Sequence, residues 1–383
     1  MDFSLNEEQR LLIDSVRKLM ARHATVEAVR ALDRARAYPY ELYQAWVDAG
    51  LLALPFPEEL GGAGGSMLDM ALMLEELGRT SADFVMTIGA SLFCGLNLAR
   101  KGTDAQRAAF IPRLLDGRIR MGISMSEPDA GSDLGAMRTL AVRDGDDYVI
   151  NGQKLWASGV GARDTVINMY VRTEATGNIR QSMSLFLIDN DTPGLELRKL
   201  DMLGRHCTGT YEIFLRDVRV PADRLVGGEN QGWGCVLAGL QTERLVAAAC
   251  DTGTAAAVTD MALEYARERR QFGRPIGSFQ AVGHQLADMA TEVAAARALT
   301  HLAAWKIDQG MDGLADITMA KLHAAETLVR SAARGVQIMG GYGYNKEFEM
   351  ERHFRDSRAA TIAAGTSEIQ RNLIAGLLGV KIQ

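Results

Sequence analysis

Cysteine is scarce, with four residues in 383, at positions 94, 207, 235 and 250. Their spacing fits neither a paired metal site nor a disulfide framework, which points to a reducing compartment, by default the cytoplasm. Excess basic charge is missing too. The 42 Lys and Arg stand against 48 Asp and Glu, a formal net charge of −6, which excludes the basic face of a general nucleic-acid binder. No apolar run is expected to reach the ~20 residues of a membrane span. Met1-Asp2-Phe3-Ser4 lacks the basic and apolar regions of a signal peptide. The 6 histidines are scattered, without His-Glu-x-x-His or another metal arrangement. No Gly-x-Ser-x-Gly elbow announces a Ser–His–Asp hydrolase. Gly159-Val160-Gly161 lacks the βαβ context of a dinucleotide fingerprint.

A chain of this length buries a large core and divides into two or three domains. Ser4-Leu5-Asn6-Glu7 reads as a capping box ahead of a helix whose face carries Leu12, Val16, Leu19 and Met20. A second helix is expected over about Tyr40–Ala49 and a glycine-rich loop over Glu58–Gly65. Ser66-Met67-Leu68-Asp69 opens a third helix, and Phe84–Arg100 and Asp104–Leu115 complete a helical first third. The pattern changes near Met121. Arg143-Asp144-Gly145-Asp146 and Asn151-Gly152 are turn signals. Val166–Arg172, Met183–Ile188, Leu195–Leu200 and Tyr211–Val220 read as strands of a barrel or sandwich. From Trp233 helix returns in Ala-rich blocks, about Gly234–Arg269, Phe279–Gln309, Ile317–Met339 and Thr366–Gly376, as in an antiparallel bundle. The expected fold is α+β and multidomain: an N-terminal helical domain over 1–120, a β domain over 121–228 and a C-terminal four-helix bundle over 229–383.

Four stretches carry chemistry. Ser124-Met125-Ser126-Glu127-Pro128-Asp129-Ala130-Gly131-Ser132-Asp133 combines open backbone amides with three hydroxyls. Lys154-Leu155-Trp156-Ala157-Ser158 offers an aromatic plane and a hydroxyl. Arg269-Arg270-Gln271-Phe272-Gly273 is followed by Gln280. The last stretch, Gln337–Arg371, opens on Gly340-Gly341-Tyr342-Gly343, runs through dense alternating charge, and closes on Ala364-Gly365-Thr366-Ser367-Glu368. There a helix starts, capped by Thr366 or Ser367, with unpaired N–H groups suited to an oxygen ligand.

Together these stretches resemble the signatures of the acyl-CoA dehydrogenase family, flavoenzymes that oxidise a thioester between its α and β carbons. The resemblance spans essentially the whole chain and implies the α–β–α architecture. It assigns Ile123, Ser124, Met125, Ser126, Gly131 and Ser132 to FAD, and Ser132 also to the acyl-CoA. Trp156 and Ser158 would flank the flavin near N5. Arg269, Phe272 and Gln280, with Gln337, Gly340 and Gly341, would hold the FAD of a neighbouring subunit, and Thr366 and Glu368 would touch it from their own chain. An oligomer follows, a tetramer in the family's usual form.

One departure matters. Many members carry the catalytic glutamate directly before the Gly-Thr, where this chain has Ala364. In the isovaleryl- and long-chain-type branches it precedes an Arg on an earlier helix. Glu243-Arg244 fits that place, amid Val236, Leu237, Leu240, Leu245 and Val246, a setting that favours the neutral carboxyl. Glu243 is therefore the expected base, with Gln241, Arg244 and the Ala364 N–H bordering the substrate and electron-transfer flavoprotein as electron acceptor. The start MDFSLNEEQ also looks like the crotonobetainyl-CoA reductase branch, which leaves enoyl-CoA reduction as an alternative. A non-catalytic helical scaffold is a third reading.

Overall fold

The computed structural model describes residues 4–175 and 177–381. Six helices come first: α1 (Glu7–His23), α2 (Val26–Ala35), α3 (Tyr40–Asp48), α4 (Met67–Gly78), α5 (Ala82–Lys101) and α6 (Asp104–Leu115). The α1 cap is Asn6 rather than Ser4. The Asn6 side chain accepts from the Gln9 N–H, and the Gln9 amide oxygen accepts from the Asn6 N–H. An Asn–Gln pair closes this box two residues later than the expected Ser–Glu pair. Helix α2 falls in a stretch with no expected element; Thr25 caps it and Arg36 ends it in a left-handed conformation. The Glu58–Gly65 loop contains a single 3₁₀ turn, Glu58–Leu60.

Helix α5 corrects the expectation about apolar runs. Its 20 residues are long and apolar enough to cross a membrane by length and composition. In the fold, 89% of that window is buried inside the protein, so its apolar surface is core.

Eight strands follow: β1 (Arg120–Ser124), β2 (Leu140–Asp144), β3 (Asp147–Ser158), β4 (Thr165–Arg172), β5 (Met183–Asp189), β6 (Leu195–Lys199), β7 (Thr210–Pro221) and β8 (Leu225–Val226). They form one sheet in the order β6-β7-β3-β2-β4-β5-β8, with β1 parallel beside β4. A single pairing, Leu140 with Arg172, joins its two halves. Tyr148, Ile150, Ile167, Met169, Phe186, Ile213 and Val218 from both halves share one apolar core. Asn151-Gly152 is no turn. It lies inside β3 at a register irregularity against β7, and Asn151 exchanges two hydrogen bonds with Asp217. Gly152 is demanded by packing, since a Cβ there would lie 2.5 Å from the Thr139 hydroxyl.

Helix α7 (Gly232–Glu268) then runs 37 residues, about 55 Å at 1.5 Å per residue. It is buried on nearly every side between the N-terminal helices and its bundle partners. A glycine costs ~1 kcal/mol mid-helix, but a Cβ on Gly253 would sit 1.9 Å from the Glu75 carbonyl of α4. The close crossing requires it. A short hairpin, β9 (Arg270–Gln271) and β10 (Arg274–Pro275), leads to α8 (Gln280–Asp308), α9 (Leu314–Met339), α10 (Met350–Ser357) and α11 (Ser367–Leu377). Helix α10 occupies the charged run that carried no expected element.

Candidate active site

The β side of the site is built on a dry ion pair. Lys154, fully buried on β3, donates from Nζ to Glu127 at 2.8 Å and to the Met125 carbonyl at 3.1 Å. The Glu127 carboxylate also accepts the N–H groups of Arg138 and Thr139, at 2.6 and 3.0 Å. The Leu155 N–H donates to the Ser126 carbonyl. The Ser124–Asp133 loop and the Lys154–Ser158 strand are thus fastened together. Burial pulls the Lys154 ammonium down to about 8, against the pull of Glu127.

Next to this clamp the chain bends to present an aromatic face. Trp156 sits at the β3 irregularity with a positive φ of 64° and is 55% exposed. The Ser124 hydroxyl is buried with no partner among the described residues. A Cβ on Gly131 would meet nothing within 4 Å. Exposed aromatic plane, orphaned hydroxyl and open backbone fit a flat, polar-edged cofactor such as a flavin. Ile123 and Ser124 end β1 beside Asn168 and Met169 of β4, and Ser158 ends β3 opposite Thr210.

The α side carries the expected base. Glu243 on α7 is half-buried. Burial pushes its carboxyl up, and Arg244 and Lys321 pull in the opposite direction without overcoming it. Among the described residues its carboxylate has no hydrogen bond or ion pair. Cys94 of α5 and Tyr170 of β4 both feel its charge, so it faces the seam between the helical layer and the sheet. Gln241, two residues earlier on the same helix, is half-buried. Arg244 is buried and reaches Thr318 of α9 at 3.4 Å, turned into the bundle.

Ahead of α11, Ala364 and Gly365 form a left-handed turn at φ 55° and 81°. A non-glycine residue there stores backbone strain, a mark of functional turns. Thr366, not Ser367, caps α11 through the Ile369 N–H. Glu368 is exposed in the first turn; its own N–H and then the Thr366 hydroxyl hold its carboxyl below the usual range. The Ala364 N–H donates to no acceptor among the described residues.

The remaining expected cofactor residues form a separate group. Phe272, at the tip of the β9–β10 hairpin, is 93% exposed. The Arg269 guanidinium lies 5.7 Å from the Tyr342 ring, which ties the hairpin base to the Gly340–Tyr342 turn. Gln280, Gln337, Gly340 and Gly341 are exposed. No hydrogen bond or ion pair among the described residues links this group to the Ser124–Ser132 loop or to Trp156.

Two contributors escaped the sequence reading. Lys321, fully buried on α9, donates to the Gly365 carbonyl at 2.6 Å, and Gln370 donates to the Ala364 and Gly365 carbonyls at 3.0 and 3.1 Å. The available signal was a lysine on the apolar stripe Ile317, Ala320, Ala324, Leu328.

Three family models match in succession: the acyl-CoA dehydrogenase N-terminal domain over residues 6–118, its middle domain over 122–218 and its C-terminal domain over 230–378. A probable acyl-CoA dehydrogenase of Bacillus subtilis is 37% identical over 98% of this chain and 99% of its own. A subunit of the caffeyl-CoA reductase–Etf complex of Acetobacterium woodii is 32% identical over 97% and 98%. The FAD complex of PigA superposes with a TM-score of 0.94 at 30% identity, covering 99% of this chain and 100% of the other. The class is a flavin-dependent oxidoreductase. The chain belongs to the acyl-CoA dehydrogenase family.

Proposed function

We propose that this protein is an FAD-dependent acyl-CoA dehydrogenase in which Glu243 is the catalytic base. The observation that carries the reading is the unpaired, half-buried Glu243 carboxylate, which feels the charge of Lys321, the residue bonded to the strained Ala364–Gly365 turn. A positioned base whose pKa is raised toward working pH transfers protons efficiently. The Ala364 N–H would donate to the thioester carbonyl oxygen and stabilise the charge that develops there as the α-proton leaves for Glu243. Gln241, Arg244 and Ser132 would border the acyl-CoA. Bound FAD would accept the β-hydride, so that a trans-2-enoyl-CoA results.

Ile123, Ser124, Met125, Ser126, Gly131, Ser132, Trp156, Ser158, Thr366 and Glu368 would hold that cofactor from one subunit. Arg269, Phe272, Gln280, Gln337, Gly340 and Gly341 would reach the cofactor of a second copy. The exposure of Phe272 and its separation from the first group support a homo-oligomer, a tetramer by family habit. Electron-transfer flavoprotein is the proposed electron acceptor. Working domain boundaries are 1–120, 121–228 and 229–383. The four cysteines are all free and buried, which suits a cytoplasmic enzyme.

The reverse chemistry, enoyl-CoA reduction, is the second reading, favoured by the name of the Acetobacterium woodii relative. Anaerobic titration of the yellow holoprotein with saturated acyl-CoAs separates the two. Bleaching of the oxidised flavin band by one of them, lost in Glu243→Gln, is the expected result. Reoxidation of the reduced protein by an enoyl-CoA, with no bleaching by any saturated thioester, would replace the dehydrogenase with the reductase.

A further inference from the structure

Lysine is among the residues least often fully buried, yet Lys321 is completely enclosed. It sits where α7, α9 and the loop before α11 converge. Its ammonium spends one donor on the Gly365 carbonyl at 2.6 Å. It is close enough to feel the charges of Asp251, Glu243, Arg244 and Arg205. Gln370, also fully buried, completes the arrangement with its two bonds to the Ala364 and Gly365 carbonyls. Three bonds therefore draw two consecutive carbonyls of a left-handed turn into the protein. The N–H of Ala364 in that turn donates to no acceptor among the described residues.

We propose that Lys321 is a positioning residue for the reaction: with Gln370 it clamps the Ala364–Gly365 turn so that the Ala364 N–H is fixed for the thioester oxygen, while its ammonium steadies the neighbouring Glu243 carboxylate. Preorganised donors act most strongly where charge develops, because no reorientation is needed during the step. A turn that carries a non-glycine residue at φ 55° relaxes unless its surroundings hold it. Lys321 and Gln370 are those surroundings. Gln370 contributes geometry alone, whereas Lys321 contributes geometry and a cation beside the base, and this difference makes the inference testable.

The inference rests on the reading of Glu243 as base, so the experiment includes Glu243→Gln as an internal reference. Holoprotein variants Lys321→Met, Gln370→Leu and Glu243→Gln are compared in three measurements. The first is loss of deuterium from the α-carbon of a labelled substrate thioester. The second is the pH profile of that loss. The third is the ratio of dissociation constants, by calorimetry, for a 3-ketoacyl-CoA, which enolises readily, and for a saturated acyl-CoA of equal length.

Both clamp variants should lose roughly 10²-fold of the α-exchange rate, the scale of one misplaced oxyanion donor. They should bind the 3-ketoacyl-CoA at least tenfold more weakly, with the saturated ligand within about threefold. Lys321→Met alone should move the acid limb of the profile to higher pH, since it removes a cation that favours the ionised base. Gln370→Leu should leave that limb in place. Equal losses for both ligands, or an unmoved limb in a folded, FAD-loaded Lys321→Met, would overturn the assignment. If Lys321→Met fails to fold, Gln370→Leu still decides the clamp through its ligand ratio. Undiminished exchange in Glu243→Gln would instead remove the base itself, whatever the clamp variants do.

Discussion

The two sides of the candidate site handle buried charge in opposite ways. On the β side, Lys154 and Glu127 meet at 2.8 Å, and the Glu127 oxygens take two further backbone N–H groups. Burial pushes that carboxyl up, but Lys154, Thr139 and the Arg138 N–H together hold it below the ordinary range. On the α side, Glu243 and Asp251 share Lys321 as a nearby cation, and neither carboxylate has a hydrogen bond or ion pair among the described residues. Burial pushes both upward. One side uses buried charge to fasten backbone; the other leaves its carboxyls without a hydrogen-bond partner and shifted toward the protonated form. A satisfied pair rigidifies, and an unsatisfied carboxyl is available to hold a proton.

The widest break in that comparison comes from neutralising the uncommitted side. Glu243→Gln should lower turnover by ~10²–10⁴-fold or more while FAD stays bound, as steady-state kinetics and the flavin absorbance together would report. The same carboxylate makes the wild type sensitive to pH. Because burial raises its pKa, the rate should fall on acidification along a limb above the ordinary carboxylate range. A limb at or below that range would show that Glu243 is not the group being titrated.

Breaking the fastened side should act on stability first. Lys154→Met would strand Glu127 in a dry environment, and removing one partner of a buried pair costs about 3–5 kcal/mol. Urea denaturation should read that loss, and the FAD content of the purified protein should fall with it. Lys154→Met/Glu127→Leu should recover part of the stability, because no buried charge then lacks a partner. It should not recover FAD content if the clamp is what aligns the two loops. An unchanged midpoint for the single variant would show that water reaches Glu127.

Legibility in the sequence follows the same division. Elements specified by local pattern were readable: α6 keeps its expected bounds, β4 and β5 differ from theirs by one residue at one end, and β7 by one residue at each end. The Ser124–Ser132 and Lys154–Ser158 stretches stood out as candidate site segments through their resemblance to family motifs, since their residue types alone fit an ordinary polar loop or strand equally well. What joins them did not, since Glu127 and Lys154 are 27 residues apart and only the fold makes them a pair. Asn151-Gly152 misled for a related reason. The dipeptide favours a turn locally, but the ladder to β7 and the tight approach of Thr139 override it. Helix α2 carries only one buried residue, Val29, too little of an apolar stripe to stand out. Lys321 was hidden because an isolated lysine in an Ala-rich helix reads as solvated. Its burial depends on α7 and the turn before α11 closing over it.

The smallest effect sharpens the comparison most, because it tests whether the α side carries unspent charge away from Glu243. Burial pushes Asp251 up to about 6, against the opposing charges of Arg205 and Lys321. The folded state thus holds this proton more tightly than the unfolded chain, whose aspartate titrates near the ordinary 3.8. The stability linked to this group is therefore fully present below about 3.8 and is lost as pH rises through about 6. Relative to Asp251→Asn, the wild type should gain stability between pH 8 and pH 4, by something of order 2 kcal/mol. Comparing the two pH profiles by chemical denaturation cancels the other titrating groups, along with any fixed cost of the substitution. A difference that stays flat across that range would mean Asp251 is paired through water, and the uncommitted charge of the α side would then reduce to Glu243 alone.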